Sequence, residues 1–115
     1  MIRRIESGAR MSQAVVANGF VFLAGQVADN TDVGVRQQTE QVLASIDRLL
    51  AAIGSDKSKI VSANVYLSDI ATFAEMNAAW DKWVAADAKP ARATVEAKLA
   101  APEYKVEIQV VALAG

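Results

Sequence analysis

Between Val33 and Ile53 the apolar residues Val35, Val42, Leu43, Ile46, Leu49, Leu50 and Ile53, with Thr39 among them, recur at spacings of three and four; on either side the period falls to two. A repeat near 3.6 residues puts such side chains on one stripe of a helix, whereas alternation puts them on one face of a strand. A chain that changes period in this way has to lay a helical stripe against a sheet, so the pattern predicts an α+β class. Asp32 or Thr31 is placed to cap the helix, and Gly54 to end it in a left-handed turn. Glu40, Asp47 and Arg48 fall off the stripe, where solvent-facing residues belong.

The rest of the chain reads outward from that helix. Residues 2 to 6 suit a short strand, and "SQAVVANGFVFLAGQV" reads as two strands joined at Asn18-Gly19, a pair that tolerates the positive φ of a tight hairpin. In "KIVSANVYLSDI" Val61, Ala63, Val65 and Leu67 alternate with Ser62, Asn64, Tyr66 and Ser68, which predicts a strand with one buried face. Thr72 and Glu75 have capping-box spacing ahead of a second helix, whose stripe is Phe73, Met76, Trp80 and Trp83 or Val84. Pro90 stops that helix, and two strands follow, over roughly 91 to 98 and 104 to 113. The order β-β-β-α-β-α-β-β predicts both helices on one face of a single sheet. One strand pair should run parallel, through a right-handed crossover. The opposite face then needs cover, which two-fold or three-fold self-association would supply.

Composition narrows the function. The 115 residues suit one domain spanning 1–115, and the 53% hydrophobic share is high for so short a chain, which favours an obligate oligomer. Net charge is −1 with no basic tail, so a dedicated nucleic-acid binder is disfavoured. Without cysteine there are no disulfides or thiolate nucleophiles, and without histidine the commonest general base and metal ligand is missing. No metal site is expected, since no Asp/Glu cluster has suitable spacing. No run approaches the ~20 apolar residues of a membrane helix, and the amino terminus lacks a signal-peptide core. A soluble cytoplasmic protein is the expectation.

The residues that invite a chemical reading are charged or polar ones at apolar positions. Arg92 stands between alanines in "PARATVE", sharing a strand face with Thr94 and Glu96; Glu107 stands between Val106 and Ile108 in "KVEIQVVAL". If these last two strands paired as a hairpin, Arg92 and Glu107 would be cross-strand neighbours. They would then be either a simple ion pair, worth ~0–1 kcal/mol when exposed, or a carboxylate-binding fork beside a water-positioning carboxylate. Asn77 in the second helix either ties it to neighbouring backbone or touches a ligand. "LAGQV" either is a plain strand exit or lets Gly25 bring a ligand close to backbone donors. Met11, in "GARMSQ", is either core or a flexible lining of an apolar pocket.

Taken together, "NGFVFLAGQV", "QQTEQVLASI", "KIVSANVYLSDIATFAEMNAAW" and "PARATVEAKLAAPEYKVEIQVVAL" cover nearly all of the chain. In this order they resemble the reactive intermediate deaminase (Rid) family, also called YjgF-like and formerly L-PSP endoribonucleases. The resemblance implies a chorismate-mutase-like two-layer fold, a homotrimer around a central barrel, and sites between subunits. It implies cofactor-free hydrolysis of enamine or imine intermediates to 2-oxo acids and ammonia. Arg92 would bind the substrate carboxylate and Glu107 would hold water, with substrate contacts at Gly25, Ala24, Thr94, Met11 and Asn77. Against the best-known branch of that family, Met11 replaces a tyrosine, Ala24 a serine and Thr94 a common cysteine. The lost hydroxyls place the chain on a side branch with altered substrate preference. Other readings of the same cleft are a non-catalytic trimer that senses a small carboxylate, a hydrolase of other amide or enamine substrates, and the older ribonuclease.

Overall fold

The computed structural model describes residues 1–115. Its strands are β1 (Ile2–Ser7), β2 (Ser12–Ala17), β3 (Phe20–Leu23), β4 (Ile60–Leu67), β5 (Ala91–Glu96) and β6 (Val106–Leu113); its helices are α1 (Val35–Ala51) and α2 (Phe73–Trp83). One mixed sheet has the order β1-β2-β3-β6-β4-β5. All neighbours are antiparallel except β4 and β5, which run parallel on either side of α2. The β2–β3 turn has Asn18 at φ 51° and Gly19 at φ 81°, as a two-residue hairpin of right-handed twist requires.

A single layer of buried side chains joins the sheet to the helices: Val21 and Leu23 from β3, Ala63, Val65 and Leu67 from β4, and Val106, Ile108 and Val110 from β6 meet Val42, Ile46, Leu49 and Leu50 of α1 and Met76 of α2. Burial of each large aliphatic here contributes about 1.5–3 kcal/mol relative to exposure. Gln38 is fully buried on α1 and acts as a hub. Its amide nitrogen donates to the carbonyls of Thr31, Val33 and Glu103, and its oxygen accepts from the Lys105 amide, so two loops are fastened to the helix.

Several local expectations change. The α1 N-cap is Gly34, without a side-chain bond, in place of Asp32 or Thr31. The Thr72 hydroxyl donates to the Asp69 carbonyl and caps nothing on α2; Asp69 instead accepts from Ala71 and opens a short 3-10 turn, Ile70–Thr72. A register shift between Ile60 and Ser62 rotates Val61 out of the buried row, and it is exposed. The final strands are shorter than 91–98 and 104–113.

The topology overturns one expectation outright. β5 and β6 are not a hairpin, because β4 lies between them. Sequence neighbours commonly pair, but β5 is reached through α2 and joins the far side of β4, the edge that α2 leaves open.

Candidate active site: two half-sites on opposite faces

Arg92 opposes Ala63, which opposes Val110, so all three project toward the helices; Thr94 lies in line with Val65 and Ile108 on the same side. Glu107 opposes Tyr66, one position out of phase, and projects from the other face. Arg92 and Glu107 are therefore on opposite faces, two strands apart. The cross-strand neighbours anticipated from a hairpin do not exist.

On the helix side, α2 supplies a cradle for the guanidinium. Arg92 Nη1 donates to Asn77 Oδ1 at 2.8 Å and lies 3.9 Å from Met76 Sδ. The Arg92 Cζ stands 4.9 Å from the Trp80 ring centroid and 5.7 Å from that of Phe73, both within cation–π range. Phe73, Asn77 and Trp80 are spaced i, i+4, i+7, one stripe of α2. Sequence reading assigned Phe73 and Trp80 to the core, but only Trp80 is buried, and both face the arginine. Asn77 binds a side chain here where neighbouring backbone was one of the expected partners.

Arg92 has no carboxylate partner; the ion pairs of the chain are Arg36–Glu40 and Arg48–Glu6. Burial pushes its pKa below the usual arginine value, and Asp81 offsets this only in part. A partly desolvated cation held by neutral groups gains from an incoming anion. Beside it, Thr94 Oγ1 is buried and has no hydrogen-bond partner. Glu96, on the same strand face, accepts from the Ile70 amide at 3.0 Å and so ties β5 to the 3-10 turn before α2.

The other face carries the second half. Ala24 donates to the Gln13 carbonyl of β2, whereas Gln26 exchanges two backbone bonds with Ile108 of β6. The strand thus changes partner at Gly25, whose own amide has no backbone acceptor. A Cβ at Gly25 would lie 2.8 Å from the Glu107 carboxyl carbon and overlap the carboxylate oxygen, so any other residue there would displace the Glu107 carboxylate. Gln26 Nε2 donates to Gln13 Oε1 and to the Ala24 carbonyl, which fixes this corner. A shallow cavity of about 280 Å³ beside Gly25 and Gln26 is also lined by Ser45 and Arg48 of α1, so it opens toward the helix side of this corner; neither it nor a neighbouring one of about 370 Å³, with Gln13 and the half-exposed Met11, includes Glu107. The largest cleft, about 700 Å³, sits at the carboxyl ends of β4 and β5 around Ser68, Lys98 and Tyr104, and contains neither Arg92 nor Glu107.

The Gly25 contact predicts that Gly25→Ala displaces the Glu107 carboxylate, the movable end of a side chain, and so changes stability by no more than about 1 kcal/mol. Thermal unfolding checks it, and a loss of several kcal/mol would show that the backbone itself had to move.

The fold defines a class of small α+β proteins, and the comparisons give its family. The family described as Endoribonuclease L-PSP matches residues 1–114. A RutC family protein of Haemophilus ducreyi is 47% identical over 112 residues, covering 97% of this chain and 96% of the relative. The RutC family protein YoaB of Escherichia coli is 46% identical over 111 residues, covering 96% of each. A solved YjgF-family structure from Neisseria meningitidis superposes with a TM-score of 0.97 at 50% identity, covering 100% of this chain and 96% of that one. The chain belongs to the YjgF/Rid family.

Proposed function

We propose that this protein hydrolyses 2-imino acids and their enamine tautomers to 2-oxo acids and ammonia, in sites shared between subunits of a homotrimer. The observation that carries the reading is Arg92, a partly desolvated guanidinium with no carboxylate partner, whose Nε and Nη2 make no hydrogen bond within the chain. That free edge suits a bidentate carboxylate. The unpartnered Thr94 hydroxyl lies two residues along the same face.

Trimerisation is supported by the uncovered face of the sheet. Phe20, Phe22, Val95 and Leu113 are exposed there, and Phe20 and Phe22 pack 6.4 Å apart as a tilted pair. Side chains of this kind on one face are an interface waiting for a partner. With Arg92 and Glu107 on opposite faces, a site that uses both must draw Arg92, Thr94 and Asn77 from one subunit. Glu107, Gly25, Ala24 and Met11 come from the next.

In this site Arg92 binds the carboxylate and its charge draws density from the adjacent C=N carbon. Glu107 holds a water and accepts a proton as the water oxygen bonds to that carbon. Glu107 passes that proton to the nitrogen, giving a tetrahedral amino alcohol and restoring the carboxylate. The hydroxyl proton is then transferred through Glu107 to the nitrogen as the C–N bond breaks, so the products are a C=O group and ammonia. Positioning of water and substrate supplies most of the acceleration, because free imines already hydrolyse readily, and no cofactor is required. The ribonuclease activity in the family's description is not extended to this chain, whose net charge of −1 provides no phosphate-binding field.

The test is a coupled assay in which a dehydratase generates imines from serine or threonine. Faster ammonia release with the protein present than without it is the expected result. Stabilisation by 2-oxobutanoate in a thermal-shift titration, with no added ammonia release, would replace this reading with a non-catalytic carboxylate binder.

A further inference from the structure

Glu107 has a cross-strand neighbour that the mechanism so far leaves idle. Ile108 spends both of its backbone groups on Gln26, so those of Glu107 turn the other way, toward Tyr66 of β4. Tyr66 and Glu107 are therefore a hydrogen-bonded pair of an antiparallel ladder, with Cα atoms about 5.5 Å apart and side chains on one face. That face lies away from the helices, since Val65 and Leu67 on either side of Tyr66 are buried in the core. Tyr66 itself is half-buried, and its hydroxyl makes no hydrogen bond within the chain. A half-buried phenol ordinarily finds a partner for that group.

The next pair on the same face is closed: Asn64 Nδ2 donates to Gln109 Oε1 at 3.4 Å across the same two strands. Tyr66 and Glu107 make no such bond, because the Glu107 carboxylate reaches to Gly25, on the far side of β6. Tyr66 starts from the near side, so the two groups flank β6, and a ligand seated over that strand lies between them. A water held there donates to the carboxylate and keeps a lone pair for a second donor. Met11 and Ala24 in this half-site have no hydroxyl to offer, and the chain has no histidine. Tyr66 carries the side-chain hydroxyl directly opposite Glu107, and a phenol donates one hydrogen bond.

We propose that Tyr66 is a catalytic residue of the Glu107 half-site, its hydroxyl donating a hydrogen bond to the oxygen that Glu107 deprotonates, a role that rests on the proposed function for the identity of that oxygen. No proton leaves the phenol. It holds the oxygen while negative charge gathers there, during addition of water and again during collapse to the C=O group. A fixed donor aimed at developing charge lowers the barrier. The imine carries nitrogen and no oxygen at the reacting carbon, so Tyr66 contributes to the transition state and to product binding, and not to substrate binding.

Tyr66→Phe removes the oxygen and keeps the ring. With imines generated by a dehydratase, kcat for ammonia release should fall about a hundredfold, the scale for loss of one such donor. KM should stay within about threefold of wild type. The dissociation constant of 2-oxobutanoate, whose ketone oxygen takes the same hydrogen bond, should rise about fivefold. Thermal unfolding should match wild type, whereas a tyrosine serving only the packing would lose stability and keep its kcat. Weaker 2-oxobutanoate binding by the variant, with no imine turnover by wild type, upholds the hydrogen bond to the ligand oxygen while removing the hydrolase reading. Where imines are hydrolysed, a variant kcat within about threefold of wild type overturns the proposal. Where they are not, an unchanged dissociation constant overturns it.

Discussion

Arg92→Ala should lose at least about a hundredfold in kcat/KM toward 2-imino acids, equivalent to ~2.7 kcal/mol of transition-state binding. Two charge-assisted hydrogen bonds to a carboxylate account for a loss of that size. Arg92→Lys should recover only part of it, since an ammonium keeps the charge but not the planar edge. Folding stability should respond little. Arg92 has lost part of its hydration without gaining an ion pair, so its removal trades one hydrogen bond to Asn77 and two ring contacts against relief of desolvation. A shift within about 1 kcal/mol is expected, read by chemical denaturation. An arginine serving only the structure would give the reverse pattern, with unchanged turnover and a large stability loss. Imine turnover that survives Arg92→Ala would remove the anchor from the mechanism.

The second large effect concerns how the halves meet. Arg92→Ala and Glu107→Gln should each be close to inactive, the latter by about a hundredfold or more for a lost general base. Refolded together in equal amounts, they should recover about a quarter of wild-type activity, provided that each site joins two subunits across a heterologous interface. Half of the arginine-side subunits retain Arg92, half of their neighbours retain Glu107, and the product of these chances is a quarter. A site contained in one chain would show no recovery, since every chain carries a lesion. The opposite projection of Arg92 and Glu107 from the sheet is what separates these outcomes.

Much of the architecture was legible in the residues because it depends on local periodicity. Asn18-Gly19 announced its hairpin, the α1 stripe buries as spaced, and Val106, Ile108 and Val110 all face the core. Caps were less legible. Thr72 with Glu75 has the spacing of a capping box, yet the Thr72 hydroxyl found a nearer acceptor in the Asp69 carbonyl. Val61 left its row because a one-residue register shift inverts the side of a strand residue, and no local preference records such a shift. At the candidate site, Arg92 and Glu107 drew notice as charges among apolar neighbours. Phe73 and Trp80 did not, because an aromatic at helical spacing looks the same whether it faces a core or a guanidinium.

The sequence by itself determined the elements, most of their buried faces and the presence of two charges at apolar positions, all of which follow from side-chain type and spacing within a few residues. Only the tertiary structure decided that β4 separates β5 from β6, which turns Arg92 toward Asn77, Trp80 and Phe73 and Glu107 toward Gly25 on the far side of the sheet. Strand order is set by which edges and apolar faces remain open once the helices have packed. That is a property of the whole chain, and it changes an apparent neighbouring pair into two halves with a sheet between them.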